Sequence, residues 1–451
     1  MATDITPGSV DTNRPPASLL VRGAHVVTQD ERRSILKTHD VYCEDGRIVE
    51  VAPDVATEAD IVVEAAGRVL LPGLVNAHTH LAMGLFRGYG DDMLLEPWLQ
   101  ERIWPAEARL TEETMRAGAD LGLLEMIRSG TTSFLDMYFM EPLLAEATAA
   151  AGMRGWMGWG LVDVGSTAEG DVHERLKGPF QAFAEDWADH DLITPSVAPH
   201  ATYTCNPETL EKSAELAAHY DIPLHIHCAE TRQEVYDVEA KTGRRPVAQL
   251  AATGALGERT VLAHCGWITK QEVQDIARAG AKVAHNPTSN LKLATGGVTP
   301  LPELFAAGAT VALGTDGPAS NNACSLFEAM KLAALVQKQQ RWDPTILPAG
   351  EALDLATRGG AAALRRPDLG TLEEGKTADL TLVDFRRPHL VPCHDVVSNI
   401  VYAAQMADVT HTIVAGRVLY GDGVFTTLDV PSVLSRAEEA ARQVCQPVVE
   451  A

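Results

Sequence analysis

The sequence is poor in the features that mark membrane-embedded, secreted and nucleic-acid-binding proteins. No apolar run approaches the roughly 18 residues that a membrane-spanning helix needs, so we expect no transmembrane segment. Basic residues are few. The 37 lysines and arginines face 61 aspartates and glutamates, and the formal charge of −24 argues against nucleic acid or an anionic membrane as a partner. Residues 1–17 lack the basic start and apolar core of a signal peptide, and we expect a short disordered arm there.

Cysteine is also scarce, and its seven copies are scattered and never spaced as C-x-x-C. This pattern predicts reduced thiols that are mostly buried rather than a disulfide framework. Together with the missing secretion signal, it indicates a cytoplasmic protein. A G-x-G-x-x-G string after the first strand is missing as well, which counts against a dinucleotide-binding fold.

Apolar segments alternate with helical patterns through the middle of the chain. Eight of the apolar segments are candidates for buried strands, at residues 74–81, 131–137, 155–162, 193–200, 223–230, 260–266, 281–287 and 310–317. Helical patterns separate them, for example at residues 112–129, 207–219, 270–279 and 302–307. Eight strand–helix units over about 300 residues predict an α/β fold with a TIM-type (β/α)8 barrel rather than an open doubly wound sheet.

Short strand patterns broken by glycine occur at both ends of the chain, at residues 19–27, 40–49, 378–384 and 411–421. We expect the two ends to pair into one small β-sandwich domain. The predicted boundaries are residues 1–73 and 372–428 for the two parts of this domain, 74–371 for the catalytic barrel, and 429–451 for a terminal helix.

The string His78-Thr79-His80 ends an apolar run, residues 69–77, that is typical of a strand buried on both faces. Alternate residues of a strand point to the same side, so the two imidazoles converge on one point. Two histidines that converge at the end of a buried strand are suited to bind a metal ion.

Five more of the predicted strands end in groups that bind metals or transfer protons. These groups are His200, His225, His227, Glu230, His264, His285, Asn286, Thr315 and Asp316. Burying them at one end of a barrel is costly unless they form a site, and that end carries the chemistry of barrel enzymes. We expect His80 and His227 to be ligands and His285 to support the site without touching the metal. His225 is either a ligand or a hydrogen-bonded barrel histidine.

The strings that carry these residues resemble those of the amidohydrolase superfamily, over residues 19–421. Within that superfamily, the sequence is similar to the branch that deaminates 5′-methylthioadenosine, S-adenosylhomocysteine and related adenosines. The similarity is carried by LPGLVNAHTH at 71–80, WL at 98–99, PAE at 105–107, HCAET at 227–231, AHC at 263–265, HNPTSNLKL at 285–293 and GTDGPASNN at 314–322.

The resemblance implies one divalent cation held by His78, His80, His227 and Asp316, with zinc favoured over iron or manganese. Three neutral imidazoles and one carboxylate leave a position open for water, as a catalytic site requires. In binuclear relatives, a lysine at the end of the fourth strand carries the carboxylate that bridges the two ions. This chain has no lysine at that position. We therefore expect a single ion.

The resemblance also assigns the proton transfers. Glu230 would protonate the ring nitrogen beside the carbon that bears the amine, and would pass a proton to the departing ammonia. Asp316 would accept the proton of the attacking water. His264 would stabilise or position the attacking oxygen. Glu230 and Asp316 are expected to contact the substrate as well.

Four further residues are expected to recognise the substrate. Trp98 would cover the nucleoside face, although plain helix packing is an alternative for it. Glu107 would accept hydrogen bonds from the two ribose hydroxyls, and His200 would contact the substrate rather than the metal. Trp159 stands where relatives that accept S-adenosylhomocysteine carry an arginine, which favours an apolar 5′ tail. Relatives of that kind carry a second basic residue near the amino-acid tail, and Arg175 is a candidate for it in a loop that does not align securely.

The expected function is hydrolytic deamination of an adenosine-type nucleoside, a small-molecule substrate, to the inosine analogue and ammonia. The alternative is the same site acting on another base or heterocycle, as a guanine-type deaminase or an s-triazine hydrolase. A non-catalytic scaffold is disfavoured because every expected ligand is present. The lack of a P-C-x-x-C segment excludes the other zinc deaminase architecture. Barrels of this branch often form dimers or tetramers, so the resemblance also allows a homo-oligomer.

Overall fold

Both ends of the chain contribute to one mixed β-sheet. The computed structural model describes residues 18–163 and 176–445. The first five strands are β1 (Leu19–Val27), β2 (Ile35–Glu44), β3 (Arg47–Ala52), β4 (Ile61–Glu64) and β5 (Arg68–Pro72). The sheet's C-terminal strands, which follow the barrel strands β6 to β13 in the chain, are β14 (Leu380–Asp384), β15 (Val409–Val414), β16 (Arg417–Gly421) and β17 (Val424–Phe425). The sheet order is β17-β16-β15-β14-β5-β1-β2-β3, with β4 paired to β1, so the antiparallel pair β5–β14 joins the two ends of the chain.

The middle of the chain forms eight parallel strands in sequential order. They are β6 (Leu74–Thr79), β7 (Thr131–Asp136), β8 (Arg154–Leu161), β9 (Ile193–Pro199), β10 (Leu224–Cys228), β11 (Thr260–His264), β12 (Lys282–His285) and β13 (Thr310–Leu313). The cylinder nearly closes where the backbone N–H groups of Thr315 and Asp316 donate to the carbonyl oxygen of His78, at 3.1 and 3.0 Å. Every residue of β6 is buried, because helices cover the outside and side chains fill the inside.

Helices cover the outside of the barrel and its upper rim. The α-helices are Leu95–Trp98, Trp104–Glu107, Glu112–Arg128, Glu141–Ala151, Gln181–Asp186, Pro207–His219, Arg232–Thr242, Pro246–Ala252, Lys270–Ala279, Pro287–Lys292, Leu301–Ala306, Pro318–Asn321, Leu326–Arg341, Ala349–Ala356, Arg358–Ala363, Val396–Tyr402 and Val430–Val444. Short 3-10 or π-helical turns are Leu81–Phe86, Leu99–Ile103, Leu176–Phe180, Pro388–Leu390 and Met406–Asp408. Among the described residues, no helix combines the length and the apolar character needed to cross a bilayer.

Local sequence explains several of these boundaries. Thr111, Asn206, Thr231 and Thr269 each precede a helix, and the side chain of each accepts the backbone N–H of the third helical residue. The mixed sheet passes into the barrel at Gly73, where a Cβ would overlap the side chain of Thr132. Glycine is therefore required at this junction.

The predicted fold class is confirmed: a (β/α)8 barrel stands beside a separate mixed sheet built from the chain ends. Helices were predicted correctly at Pro207–His219 and Lys270–Ala279. The predicted strand 310–317 is shorter in the structure and ends at Leu313. Asp316, three residues later, adopts a positive φ of 61°. The expected disordered arm, residues 1–17, lies outside the described residues, and the domain boundaries stay a prediction.

Candidate active site

Four side chains meet at the C-terminal end of the barrel. His78 and His80 come from β6, His227 from β10, and Asp316 follows β13; their ligand atoms all lie within 4.8 Å of one another. The Nε2 atoms of His78 and His80 lie 3.3 and 3.1 Å from Asp316 Oδ1. His78 Nε2 is buried and has no hydrogen-bond partner among the described residues. This donor set suits a divalent cation, and zinc in particular. We call His78, His80, His227 and Asp316 the metal group.

Hydrogen bonds on the far side of each imidazole ring fix its orientation. His80 Nδ1 lies 2.6 Å from the carbonyl oxygen of Met137, and His227 Nδ1 lies 2.8 Å from that of His200. A protonated Nδ1 donates each bond, so the lone pair of Nε2 faces the shared point. These contacts suit the tautomer in which each histidine binds a metal through Nε2.

For His78, the residue that contacts the far side of the ring is His225. Its Nε2 lies 2.8 Å from His78 Nδ1, and its own Nδ1 lies 3.2 Å from the carbonyl oxygen of Asp136. His225 therefore engages both ring nitrogens away from the metal group. Of the two interpretations that the sequence left open, the geometry favours the hydrogen-bonded barrel histidine.

Asp316 is held by two hydroxyls and one backbone N–H. Ser289 Oγ and Ser320 Oγ donate to Oδ2 at 2.6 and 2.9 Å, and the backbone N–H of Gly317 donates to Oδ1 at 2.7 Å. Burial alone would raise the pKa of Asp316, but the imidazoles of His78 and His80 beside its Oδ1 outweigh that effect and hold the pKa well below its usual range. Asp316 is thus an ionised carboxylate.

Glu230 has the opposite character. Burial and the negative charge of Asp316 raise its pKa to about 8, against a smaller opposing effect of His80. At neutral pH this carboxyl group carries a proton. A proton donor and an ionised carboxylate therefore share one cavity, which is the division of roles that acid–base catalysis needs.

His264, at the end of β11, lies between Glu230 and Asn290. Its Nδ1 is 3.8 Å from Glu230 Oε1 and accepts a hydrogen bond from the Asn290 side-chain amide at 3.0 Å. With Nδ1 accepting, the proton of the neutral ring lies on Nε2. Burial lowers the pKa of His264, which keeps the ring neutral and Nε2 a hydrogen-bond donor.

A cavity of about 730 Å³ opens above the metal group. The cavity is lined by these residues that were predicted as ligands, catalytic groups or substrate contacts: His80, Trp98, Glu107, Trp159, His200, His227, Glu230, His264 and Asp316. The predicted ligand His78 is not among the lining residues. Its volume is that of a small-molecule site. The described residues that line it include no lysine and no arginine.

Glu107 and Trp98 form the wall that follows the first strand. Glu107 Oε1 accepts a hydrogen bond from the Tyr138 hydroxyl at 2.8 Å, and burial raises its pKa to about 7. The Trp98 ring faces the cavity, while its indole N–H donates to the carbonyl oxygen of Tyr89 at 3.3 Å and the ring packs in an apolar cluster. Both interpretations of Trp98, cavity wall and packing residue, are compatible with this position.

Trp159 and His200 also line the cavity. Trp159, near the end of β8, packs against Phe180 and Phe183, with ring centroids 5.9 and 5.7 Å away. His200 Nδ1 lies 2.9 Å from Thr204 Oγ, and burial lowers the pKa of His200 to about 4, so the ring is neutral. The candidate cation Arg175 lies outside the described residues.

Several residues of the site were not predicted as such. They are Tyr138, Thr204, Glu234, Ser289, Asn290 and Ser320, which all hold a predicted site residue by a hydrogen bond. Ser289, Asn290 and Ser320 fall within the NPTSN and SNN strings, which were a signal that could have found them. Tyr138 and Thr204 offered no such signal.

The model of the amidohydrolase family matches residues 69–419. The chain belongs to the amidohydrolase family. The 5′-deoxyadenosine deaminase of Methanothermobacter thermautotrophicus is 43% identical to this amidohydrolase over 427 residues, 94% of this chain and 98% of the relative. The 5-methylthioadenosine/S-adenosylhomocysteine deaminase of Thermococcus kodakarensis is 43% identical over 404 residues, 89% of this chain and 94% of the relative. A solved structure of a zinc-bound adenosine deaminase from Xanthomonas campestris superposes with a TM-score of 0.92 at 35% identity, covering 97% of this chain and 99% of that one.

Proposed function

We propose that this amidohydrolase is a metal-dependent aminohydrolase of adenosine-type nucleosides. It would convert 5′-methylthioadenosine, 5′-deoxyadenosine, adenosine or S-adenosylhomocysteine, with water, to the inosine analogue and ammonia. The observation that carries the proposal is that Glu230 and Asp316 line one cavity together with His80 and His227 of the three-histidine metal group. The pKa of Glu230 is raised there and that of Asp316 is lowered, as a proton donor and a proton acceptor require. The names and the coverage of the relatives support the same conclusion.

The donor set of the site fits a divalent ion. His78, His80, His227 and Asp316 would hold it, and the buried Nε2 of His78, which lacks a hydrogen-bond partner among the described residues, is accounted for by such an ion. When bound, the ion supplies a Lewis acid that lowers the pKa of water and makes hydroxide available near neutral pH.

The protein's own groups handle the protons. Asp316 accepts a proton from the attacking water, because its carboxylate is ionised and held by Ser289 and Ser320. Glu230 donates its proton to the ring nitrogen beside the carbon under attack, then takes the proton of the added hydroxyl and passes it to the leaving amine. The proton held by Asp316 finally returns Glu230 to its acid form. His264 offers an Nε2–H as a hydrogen-bond donor toward the attacking oxygen. The products are the 6-oxo ring and ammonia, so atoms and charge balance.

The ribose would lie against Glu107. Its carboxyl group is half-buried and lines the cavity, and the Tyr138 hydroxyl fixes one of its oxygens. The other oxygen is left to accept bonds from the ribose hydroxyls. Trp98 would cover one face of the nucleoside, and His200 would contact the substrate beside the metal group.

The 5′ substituent would meet an apolar wall. Trp159, Phe139 and Leu161 line this part of the cavity, and the described lining residues carry no basic side chain that could pair with a tail carboxylate. An indole at Trp159 suits a methylthio or methyl group better than a charged amino-acid tail. We therefore rank 5′-methylthioadenosine and 5′-deoxyadenosine above S-adenosylhomocysteine as substrates.

The test is a panel of adenosines that vary at the 5′ position, with guanine and an s-triazine added as the alternatives. Ammonia release and the loss of adenine absorbance are followed before and after treatment with a chelator, and again after zinc is restored. We expect turnover of the adenosines, loss of activity on chelation and recovery with zinc. Turnover of guanine or the triazine alone, or full activity in the metal-free protein, would overturn the proposal.

The cytoplasm is the compartment that we propose. All seven cysteines are free, and five of them are buried, as is typical of proteins kept in a reducing environment. A small-molecule nucleoside is the proposed partner, and a homo-oligomer remains a prediction that sedimentation of the purified protein would test.

A further inference from the structure

A buried glutamate outside the reaction cavity holds the chain segment that carries Glu230. Glu234 lies on the first turn of the helix Arg232–Thr242 and is 5% exposed. Its Oε1 accepts the backbone N–H of Ala229 at 2.9 Å, and its Oε2 accepts the backbone N–H of Glu230 at 2.7 Å. One carboxylate thus binds the two peptide groups that lead into the proton donor.

This arrangement differs from an ordinary helix cap. The next barrel helix, Lys270–Ala279, also starts after a threonine and also has a buried glutamate as its third residue. There, Glu272 Oε2 accepts the backbone N–H of the capping residue Thr269 itself, at 2.7 Å. Glu234 instead passes over its own capping residue, Thr231, and reaches the two residues before it.

The segment held by Glu234 is conformationally demanding. Ala229 follows β10 with a φ of 50°, a left-handed conformation that residues other than glycine, asparagine and aspartate rarely adopt. The turn places Glu230 at the cavity, while His227, three residues earlier, stays on the strand. Strained backbone of this kind persists only where neighbouring groups fix it.

We propose that Glu234 is a positioning residue for the proton donor: by binding both peptide N–H groups, it fixes the height and direction of the Glu230 carboxyl group over the substrate ring. The inference rests on the proposed function, because it assumes that Glu230 transfers a proton. It predicts that Glu234 acts on the chemical step through Glu230 and not through the metal group or the ribose contacts.

The experiment uses Glu234→Gln, with Glu272→Gln as the matched control. Glutamine has the same size, but it offers only one acceptor oxygen and turns an N–H toward a backbone N–H. We expect Glu234→Gln to lower kcat by about 10- to 100-fold with little change in KM, since small displacements of a catalytic group have effects of this order. Metal content and melting temperature should shift no more than in Glu272→Gln, whose kcat should stay close to that of the wild type.

A double variant distinguishes a positioning role of Glu234, which acts only through Glu230, from a role that supports the whole site. The double variant Glu230→Gln/Glu234→Gln should be no slower than Glu230→Gln alone, because the group that Glu234 positions is already gone. The proposal would be overturned if the double variant lost kcat by the product of the two single-variant losses. Equal kcat values in Glu234→Gln and Glu272→Gln would overturn it as well.

Glu234→Asp gives a second measurement, since it keeps both acceptor oxygens on a shorter arm; its kcat should lie between the wild type and Glu234→Gln. If neither Glu234 variant folds with a full complement of metal, the residue is structural and the proposal is wrong. A wild-type protein that releases no ammonia from any adenosine would instead refute the proposed function, which is a distinct outcome.

Discussion

His225 binds His78 from behind, with 2.8 Å between Nε2 of His225 and Nδ1 of His78. The bond directs His78 Nε2 toward Asp316 and is made by a residue that does not belong to the metal group. Such supporting partners orient a ligand and raise its basicity. We predict that His225→Ala weakens zinc binding by about 10- to 100-fold, measured by competition with a chromophoric chelator.

The matched comparison is His227→Ala, which removes a ligand rather than a support. That variant should fail to retain zinc through a desalting column, whereas His225→Ala should retain it in excess zinc and recover activity there. Zinc affinity in His225→Ala equal to that of the wild type would contradict the supporting role.

Glu230→Gln keeps the size of the side chain and removes the transferable proton. We predict a fall in kcat of about 10²- to 10⁴-fold, the usual contribution of a general acid or base, with zinc content unchanged. Stopped assays at high enzyme concentration would measure the residual rate, and metal analysis would run in parallel. Near-wild-type turnover would remove Glu230 from the mechanism.

The protonation state of Glu230 predicts a pH dependence. Burial first, and the charge of Asp316 second, raise the pKa of Glu230 to about 8, so the acid form dominates at neutral pH and is lost as the pH rises through that value. We therefore expect kcat/KM to decline on the alkaline side of this pKa, in a profile recorded in overlapping buffers on both sides of it. A kcat/KM that keeps rising above pH 9 would mean that Glu230 acts as a base instead.

The sequence predicted the parts of this site that are local. The H-x-H string lies at the end of one strand, where side chains alternate with a period of two, so the convergence of His78 and His80 can be predicted. Glu230 follows His227 within a single turn. Residues that act across the fold were harder to recognise. Glu234 stands three residues after Thr231, which is the spacing of an ordinary capping box, so its sequence indicates a helix start and not its bonds to Ala229 and Glu230.

Tyr138 and His225 illustrate the same limit. Tyr138 reaches Glu107, which is 31 residues away in the chain, and His225 reaches His78, which is 147 residues away. No period or spacing encodes such contacts, since they depend on how the barrel strands are staggered. The left-handed turn at Asp316, three residues beyond β13, also escaped prediction. Partners distant in the chain hold Asp316: its backbone N–H donates to the carbonyl oxygen of His78, and its carboxylate accepts from Ser289 Oγ.

Glu107 should affect nucleosides more than the free base. Replacing it with alanine removes the acceptor for the ribose hydroxyls. The KM for adenosine should rise about tenfold or more, which is the usual effect of losing a hydrogen bond to a charged group, and the KM for adenine should change little. Tyr138→Phe frees one Glu107 oxygen without removing the carboxylate and should have a smaller effect in the same direction. Equal changes in KM for adenosine and adenine would mean that Glu107 does not contact the ribose.

Trp159 should decide which 5′ tails are accepted. Trp159→Arg places a cation in a wall where the described lining residues have none, and a charge-assisted hydrogen bond to the tail carboxylate is worth about 1.5–3 kcal/mol. The ratio of kcat/KM for S-adenosylhomocysteine to that for 5′-methylthioadenosine should therefore rise at least about tenfold. Trp159→Phe keeps an apolar ring and should leave the ratio near the wild-type value. If Trp159→Arg and Trp159→Phe give the same ratio, then charge at this position does not govern tail selection, and the preference must arise elsewhere along the cavity wall.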